Sequence, residues 1–250
     1  MSLDFVRRTY ESLGRDDPLW AILTDHGKRH NRWDPEAFFQ TGREEVEDAL
    51  AFLRSLGEPL ATGRALDFGC GVGRLTQALA EHFDEVVGVD ISSSMIEGAR
   101  RFNRFGTRVR YRVNTRPDLG LLETDRFDFV YSSITLQHVA PRYGRRYIAE
   151  FFRVLRPGGI ALFQMRNGPL VRPGTARHLL YRLNREHLRR FIQRLRGRPP
   201  MEIHFLARSE VERVIAGSGG EVVDVTDLSS PAREGKSLRY CARALPEDAG

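Results

Sequence analysis

The sequence predicts a doubly wound α/β fold, a mostly parallel sheet with helices on both faces. Three observations predict it. Short apolar runs suited to buried strands alternate with stretches whose apolar residues recur at helical spacing. The run Arg64-Ala65-Leu66-Asp67-Phe68 breaks into Gly69, Gly71 and Gly73 on alternate residues and then into a helical pattern. A second strand, Val86-Val87-Gly88-Val89, closes on an acid, Asp90. Glycine enters left-handed backbone freely and lets a ligand approach the chain. In open α/β sheets ligands lie outside the carboxyl ends of the strands. Both halves of a nucleoside-binding site are thus carried by one βαβ unit.

The glycines read G-x-G-x-G, not the G-x-G-x-x-G of dinucleotide sites. Asp67 sits two residues before the first of them. Its charge would repel a pyrophosphate in a low-dielectric cleft and suits a ligand with an ammonium group. An adenosine ligand with an ammonium, a carboxylate and no phosphate is S-adenosylmethionine. The stretch Leu66-Asp67-Phe68-Gly69-Cys70-Gly71-Val72-Gly73-Arg74 resembles the first motif of the class I S-adenosylmethionine-dependent methyltransferases, in their type 11/25-like branch. The competing reading, a plain tight turn in an unrelated α/β protein, leaves Asp67 and Asp90 unexplained. The resemblance implies a Rossmann-like sheet with its last strand antiparallel, S-adenosylmethionine as cofactor, and an N-terminal helical segment covering it. The candidate cofactor residues are Asp67, Gly69, Cys70, Gly71, Gly73, Asp90, Ile91, Met95, Asn114, Thr115 and Ser132. The Cys70 side chain itself reads as packing.

With 250 residues, 41% of them hydrophobic, the chain suffices for one domain with a sizeable core. Four parts follow along it: a helical cap over residues 1–62, a cofactor-binding core over 63–166, a basic helical insertion over 167–202, and the rest of the sheet over 203–245. No apolar run has the length of a membrane span. The start carries Asp4, Arg7 and Arg8 where a signal peptide needs an apolar block, so a cytoplasmic protein is expected. Cys70 and Cys241 match no metal-ligand spacing, and no metal is expected. The net charge is +6, and Lys28 and Lys236 are the only lysines. A basic balance permits acidic partners or nucleic acid without requiring either.

The elements follow in order. Phe5, Tyr10 and Leu13 mark a first helix; Leu19, Trp20 and Ile22 mark a second. Asp34-Pro35 opens a longer helix with an acid at the cap and proline in the first turn. Phe38, Val46, Leu50, Leu53 and Leu56 are its apolar face, and Gly57 ends it. Trp20 and Trp33 either line the pocket or fill core and loop. After the glycines, Leu75, Ala78, Leu79 and Phe83 recur at helical spacing. Ser92, Ser93 and Ser94 offer caps before Met95, Ile96, Ala99 and Phe102. Met95 either packs on an adenine face or fills the core. Val109, Tyr111 and Val113 alternate with arginines as a third strand ending at Asn114-Thr115. In the family a polar residue there commonly contacts the adenine amino group. Phe127 to Ser133 is a fourth strand, Tyr143 to Leu155 a helix, Arg156-Pro157-Gly158-Gly159 a turn, and Ile160 to Gln164 a fifth strand. Leucines and arginines at helical spacing then suggest the insertion, with Arg177, Arg182, Arg185, Arg189, Arg190 and Arg194 on its polar side. It is a solvated basic face or a cap recognising an anionic acceptor. Ser209 caps a helix through Val211 and Ile215; Glu221 to Val225 and Ser237 to Arg243 are the last strands.

A sulfonium methyl is intrinsically electrophilic, so alignment of the acceptor carries most of the rate. A base is needed only where the acceptor loses a proton. His138 is the candidate, placed by the resemblance beside the transferable methyl, with helix capping as its bland alternative. Ser132-Ser133-Ile134-Thr135 stands where base and glutamine amino-methyltransferases carry a Pro-Pro-aromatic motif. The favoured reading is methyl transfer to an oxygen or nitrogen of a small molecule, an anionic one where the arginine-rich segment acts as its cap. The alternatives are an RNA methyltransferase using the arginine-rich insertion and a catalytically silent binding protein of the same fold.

Overall fold

The structure, a computed structural model, describes residues 2–168, 202–229 and 236–246. Helices α1 (Leu3–Asp16), α2 (Pro18–Ile22) and α3 (Pro35–Ser55) lead into strand β1 (Arg64–Phe68). Then follow α4 (Arg74–Leu79), β2 (Glu85–Asp90), α5 (Ser93–Phe102), β3 (Val109–Val113), β4 (Phe127–Ser132), α6 (Pro141–Val154) and β5 (Leu155–Arg166). The described chain closes with α7 (Arg208–Ala216), β6 (Gly220–Asp227) and β7 (Ser237–Ala244). The sheet runs β3-β2-β1-β4-β5-β7-β6. β1 to β5 pair in parallel, and β7 is antiparallel to both β5 and β6. The expected doubly wound sheet with a reversed last strand is what forms.

The period of two along each strand sorts the core into two layers. Phe129, Tyr131, Ile160 and Leu162 pack with Val46, Leu50 and Leu53 of α3 and with Leu75 and Leu79 of α4. Leu66, Phe68, Val130 and Phe163 face the other way, onto Ile148, Phe151 and Phe152 of α6 and Val211 and Ile215 of α7. A smaller cluster joins Leu19 and Ala21 of α2 to Phe38, Phe39, Val72 and Met95. It fastens the N-terminal helices to the end of the sheet where the glycines lie.

Several local expectations shift. The fourth helix stops at Leu79, and Phe83 is buried beyond it in the turn to β2. The Arg108 guanidinium donates to the carbonyls of Ala80 and Phe83, at 2.5 and 3.0 Å, and so satisfies acceptors a longer helix would have used internally. Ser209 is not the cap of α7, which begins at Arg208 after Ala207. Its first amide donates instead to the Asn167 side chain at the end of β5, at 2.9 Å. Arg156–Gly159 turns as expected, but inside β5: Leu155 pairs with Phe127 and Ile160 with Phe129. The arginines of the proposed insertion, Arg177 to Arg194, lie outside the described residues. Among the described residues no helix is long and apolar enough to cross a membrane.

Candidate active site

The strand order reverses its progression at β1, with β2 and β3 on one side and β4 on the other. At that switch point the carboxyl ends diverge and leave a cleft. Gly69–Gly73 follows β1, Asp90–Ser92 follows β2, and Ser133–His138 follows β4. The cleft comprises about 960 Å³, counting the part open to solvent. Leu3, Val6, Tyr10, Ala21 and Ile22 form its roof, and Phe68, Val89, Met95, Val139 and Tyr147 much of its walls.

The three alternate glycines all have left-handed backbone, with φ of 81°, 53° and 86°. Each leaves room for a different neighbour. A Cβ on Gly69 would strike the Thr135 side chain after β4. One on Gly71 would come 2.9 Å from Ile22 Cγ1 in the roof, and one on Gly73 3.0 Å from Tyr111 Cε1 of β3. The loop is the point where the cleft floor, the roof and the sheet meet. The amides of Gly69 and Cys70 both donate to the Val89 carbonyl, at 2.8 and 3.1 Å.

Asp90 completes that anchorage. Its Oδ2 accepts from the Gly71 amide and its Oδ1 from the Ser92 amide, each at 2.9 Å. Burial pushes the carboxyl pKa up, against the backbone donors, which hold it down. Each carboxylate oxygen retains capacity for another donor. Ser92 then caps α5 through its hydroxyl, which accepts from the Met95 amide at 3.2 Å. From the roof, Glu11 of α1 latches onto the same turn: the hydroxyls of Ser92 and Ser93 donate to its carboxylate at 2.9 and 2.8 Å. These hydrogen bonds, with that from Arg15, bring the Glu11 pKa down to about 2, although burial acts the other way and is the largest single influence.

Asp67 lies beneath the cleft rather than in its wall. It is 1% exposed. Its Oδ2 accepts from the Thr76 hydroxyl at 2.6 Å, while Oδ1 has no protein partner. Burial pushes its pKa up to about 7. A carboxyl raised from 3.8 to about 7 on folding lends stability fully below pH 3.8 and loses it as pH rises through about 7. Asp67→Asn keeps an acceptor for Thr76 and removes the buried charge. The variant is expected to flatten the fall in melting temperature between about pH 4 and 7, an effect on the order of 1–4 kcal/mol. Thermal melts across that range check it; parallel profiles for the two proteins would refute it.

Of the residues expected at the cofactor, Gly69, Cys70, Gly71, Asp90, Ile91, Met95 and Asn114 line the cleft. Gly73, Thr115 and Ser132 do not. Gly73 backs onto Tyr111, Thr115 is exposed beyond β3, and the buried Ser132 hydroxyl donates to the Phe68 carbonyl at 3.0 Å. The Asn114 side chain is already engaged: Nδ2 donates to the Asp118 carbonyl at 2.7 Å, and Oδ1 accepts from the Arg116 amide at 3.1 Å. Trp20 and Trp33 do not line the cleft; their indoles donate to the carbonyls of Asp25 and Leu23. The helical period of α1 and α2 held the signal for the true roof residues, but not which face meets the sheet.

His138 does reach the cleft, in a short turn of Leu136–His138 before α6. Its Nδ1 is 3.1 Å from the Glu202 carbonyl oxygen and its Nε2 3.3 Å from Gln137 Nε2. A carbonyl only accepts, so the proton sits on Nδ1 and the lone pair on Nε2. Burial lowers the pKa of the ring. The Tyr10 ring of α1 meets it edge-on at 5.7 Å. Arg74, sequence-neighbour of the glycines, also lines the cleft; it is 3% exposed and pairs with Glu45 at 2.6 Å.

A family model described as a methyltransferase domain matches residues 65–159. The ubiquinone biosynthesis O-methyltransferase of Methylococcus capsulatus is 30% identical over 166 residues, 66% of this chain and 67% of that protein. The chain belongs to the class I S-adenosylmethionine-dependent methyltransferases. The methyltransferase also matches a trans-aconitate 2-methyltransferase of Acidovorax sp., at 30% identity over 53% of this chain and 49% of that one. It thus spans from about half to two thirds of these curated relatives. Its fold is that of the magnesium protoporphyrin IX methyltransferase of Synechocystis with bound S-adenosylhomocysteine, with a TM-score of 0.64 at 19% identity, covering 96% of this chain and 98% of that one. The methyltransferase therefore uses S-adenosylmethionine, and the fit is visible in the chain itself: the left-handed glycines Gly69 and Gly71 along the cleft, and in its wall the Asp90 carboxylate, fixed by two backbone donors and with capacity for more.

Proposed function

We propose that this methyltransferase acts on a hydroxyl oxygen of a small, largely apolar acceptor, with His138 as the base. One observation carries the reading. A histidine with its proton fixed on Nδ1 and a lowered pKa stands in a cleft whose remaining walls are mostly apolar. A neutral imidazole is the form that can take a proton, and a hydroxyl is an acceptor that must give one up.

When bound, S-adenosylmethionine supplies an electrophilic methyl group. The chain does the rest. Asp90 would accept from the ribose hydroxyls, its carboxylate kept in place by its two backbone donors. Gly69, Cys70 and Gly71 would let the amino-acid end lie against the backbone, and Asp67 beneath them, when ionised, would favour its ammonium group. Ile91 and Met95, in the cleft wall, would take the adenine, with Asn114 at its edge. Gly73, against Tyr111, and Ser132, bonded to the Phe68 carbonyl, support this surface from behind, and Thr115 is exposed beyond it. The Glu202 carbonyl orients His138, and Nε2 takes the acceptor proton as its oxygen attacks. The roof excludes water from the reacting atoms.

Asp90→Ala is expected to weaken S-adenosylmethionine binding roughly tenfold to a hundredfold, since charge-assisted hydrogen bonds are worth about 1.5–3 kcal/mol each. Calorimetry checks it, and unchanged affinity would overturn the assignment. The acceptor class is tested by incubating the protein with methyl-labelled cofactor and a panel of phenols, alcohols, amines and carboxylates. Label appearing in methyl ethers supports the reading. Label confined to amines or carboxylates rejects it.

A further inference from the structure

Four non-glycine residues among those described have left-handed backbone: His30, Asn31, Asp125 and Ile134. The first three are types whose short polar or ring side chains tolerate it. Ile134, at φ 59°, is β-branched, and for such a residue this region is a true outlier. It lies immediately after β4, in the cleft wall, four residues before His138. Strain of this kind persists only where the surroundings impose it, and here they do so from three sides. The Ile134 amide donates to Gln164 Oε1 at 3.3 Å, and Gln164 Nε2 donates in turn to the Ser237 hydroxyl at 2.6 Å, which ties the turn to β5 and β7. The next residue, Thr135, donates to the Ser133 carbonyl at 3.1 Å. Its side chain fills the space beside Gly69 that a Cβ there would need.

Glycine or asparagine would hold the same backbone without strain. The branched side chain therefore needs a reason outside the turn, and its position in the wall supplies one. We propose that Ile134 is a specificity-determining residue: the strained turn presents its branched side chain as the wall against which the acceptor's apolar body lies while its hydroxyl faces His138. This rests on the acceptor reading above for the hydroxyl, and on geometry alone for the wall.

The test uses the protein loaded with S-adenosylhomocysteine and two probes, catechol and 4-tert-butylcatechol, with binding read by calorimetry. Ile134→Asn and Ile134→Gly both suit the backbone and remove the branched wall. Each is expected to weaken 4-tert-butylcatechol roughly tenfold, the scale of a lost apolar contact in a pocket. Catechol should weaken far less and S-adenosylhomocysteine affinity should hold. Ile134→Val, which keeps the branch, should restore the preference for the alkylated phenol. Equal selectivity between the two phenols in wild type, Ile134→Asn and Ile134→Gly would make Ile134 a packing residue and overturn the proposal. So would a wild-type protein that binds neither phenol. Wild type that binds the alkylated phenol selectively but never methylates it would leave the wall standing and sink the hydroxyl-acceptor reading instead.

Discussion

Gly71→Val is expected to abolish S-adenosylmethionine binding while leaving the protein folded. The residue has φ of 53°, where a side chain costs about 1–2 kcal/mol and a β-branched one more. Its Cβ would press on the Ile22 side chain of α2, so the roof must lift or the loop must turn. A lifted roof opens the cleft, and a turned loop pulls the Gly71 amide from Asp90, one of the contacts that tie the ends of β1 and β2 together. Within this loop only Cys70 and Val72 reach the core clusters, and most of both core layers lies elsewhere, so folding should survive a loss of a few kcal/mol. Gly106→Val is the control. It has a similar φ of 55° with nothing within 4 Å of the added Cβ, and should lose stability yet bind cofactor normally. Affinity for cofactor is expected to fall more than a hundredfold in Gly71→Val alone. Wild-type affinity in a folded Gly71→Val protein would show that the glycine loop does not hold the cofactor.

His138→Ala should lower kcat by about 10²–10⁴ with cofactor affinity retained, the range for losing a general base. Burial lowers the imidazole pKa, so the neutral form is populated already below pH 6.5. Wild-type kcat/KM on a hydroxyl acceptor should therefore rise along an acid limb with its midpoint below 6.5 and be flat at pH 7 and above. That limb should vanish in His138→Ala. A variant that keeps its kcat, or that keeps the limb, would leave His138 as a residue that only packs against Tyr10 and Glu202.

The glycine loop and Asp90 were legible because their function is local. Left-handed backbone after a strand and an acid closing the next strand are written in consecutive residues, and short range suffices to interpret them. The strands were legible for a related reason, since burial on both faces leaves continuous apolar runs such as Ile160 to Phe163. The resemblance to the methyltransferases rested on the same few residues. Asp67 shows where that legibility ends. Its presence was readable, but its place under the cleft, bonded to Thr76, follows from the alternation of β1 and from the packing of α4.

The sequence by itself determined the doubly wound sheet, the cofactor and the loop that carries it, because each depends on backbone conformation within a few residues. Only the tertiary structure decided which helical faces form the roof. Tyr10 and Ile22 line the cleft and the two tryptophans do not, and helical period alone cannot say which side of an amphipathic helix meets a partner distant in sequence. It also decided that Glu202, 64 residues away, fixes the proton of His138. The strain at Ile134 likewise belongs to the folded state. An isoleucine just past the fourth strand carries no local sign of left-handed backbone, and what bends it is a glutamine from β5 and a threonine seated on Gly69. Contacts of that range form only when the sheet has closed, so no window of sequence contains them.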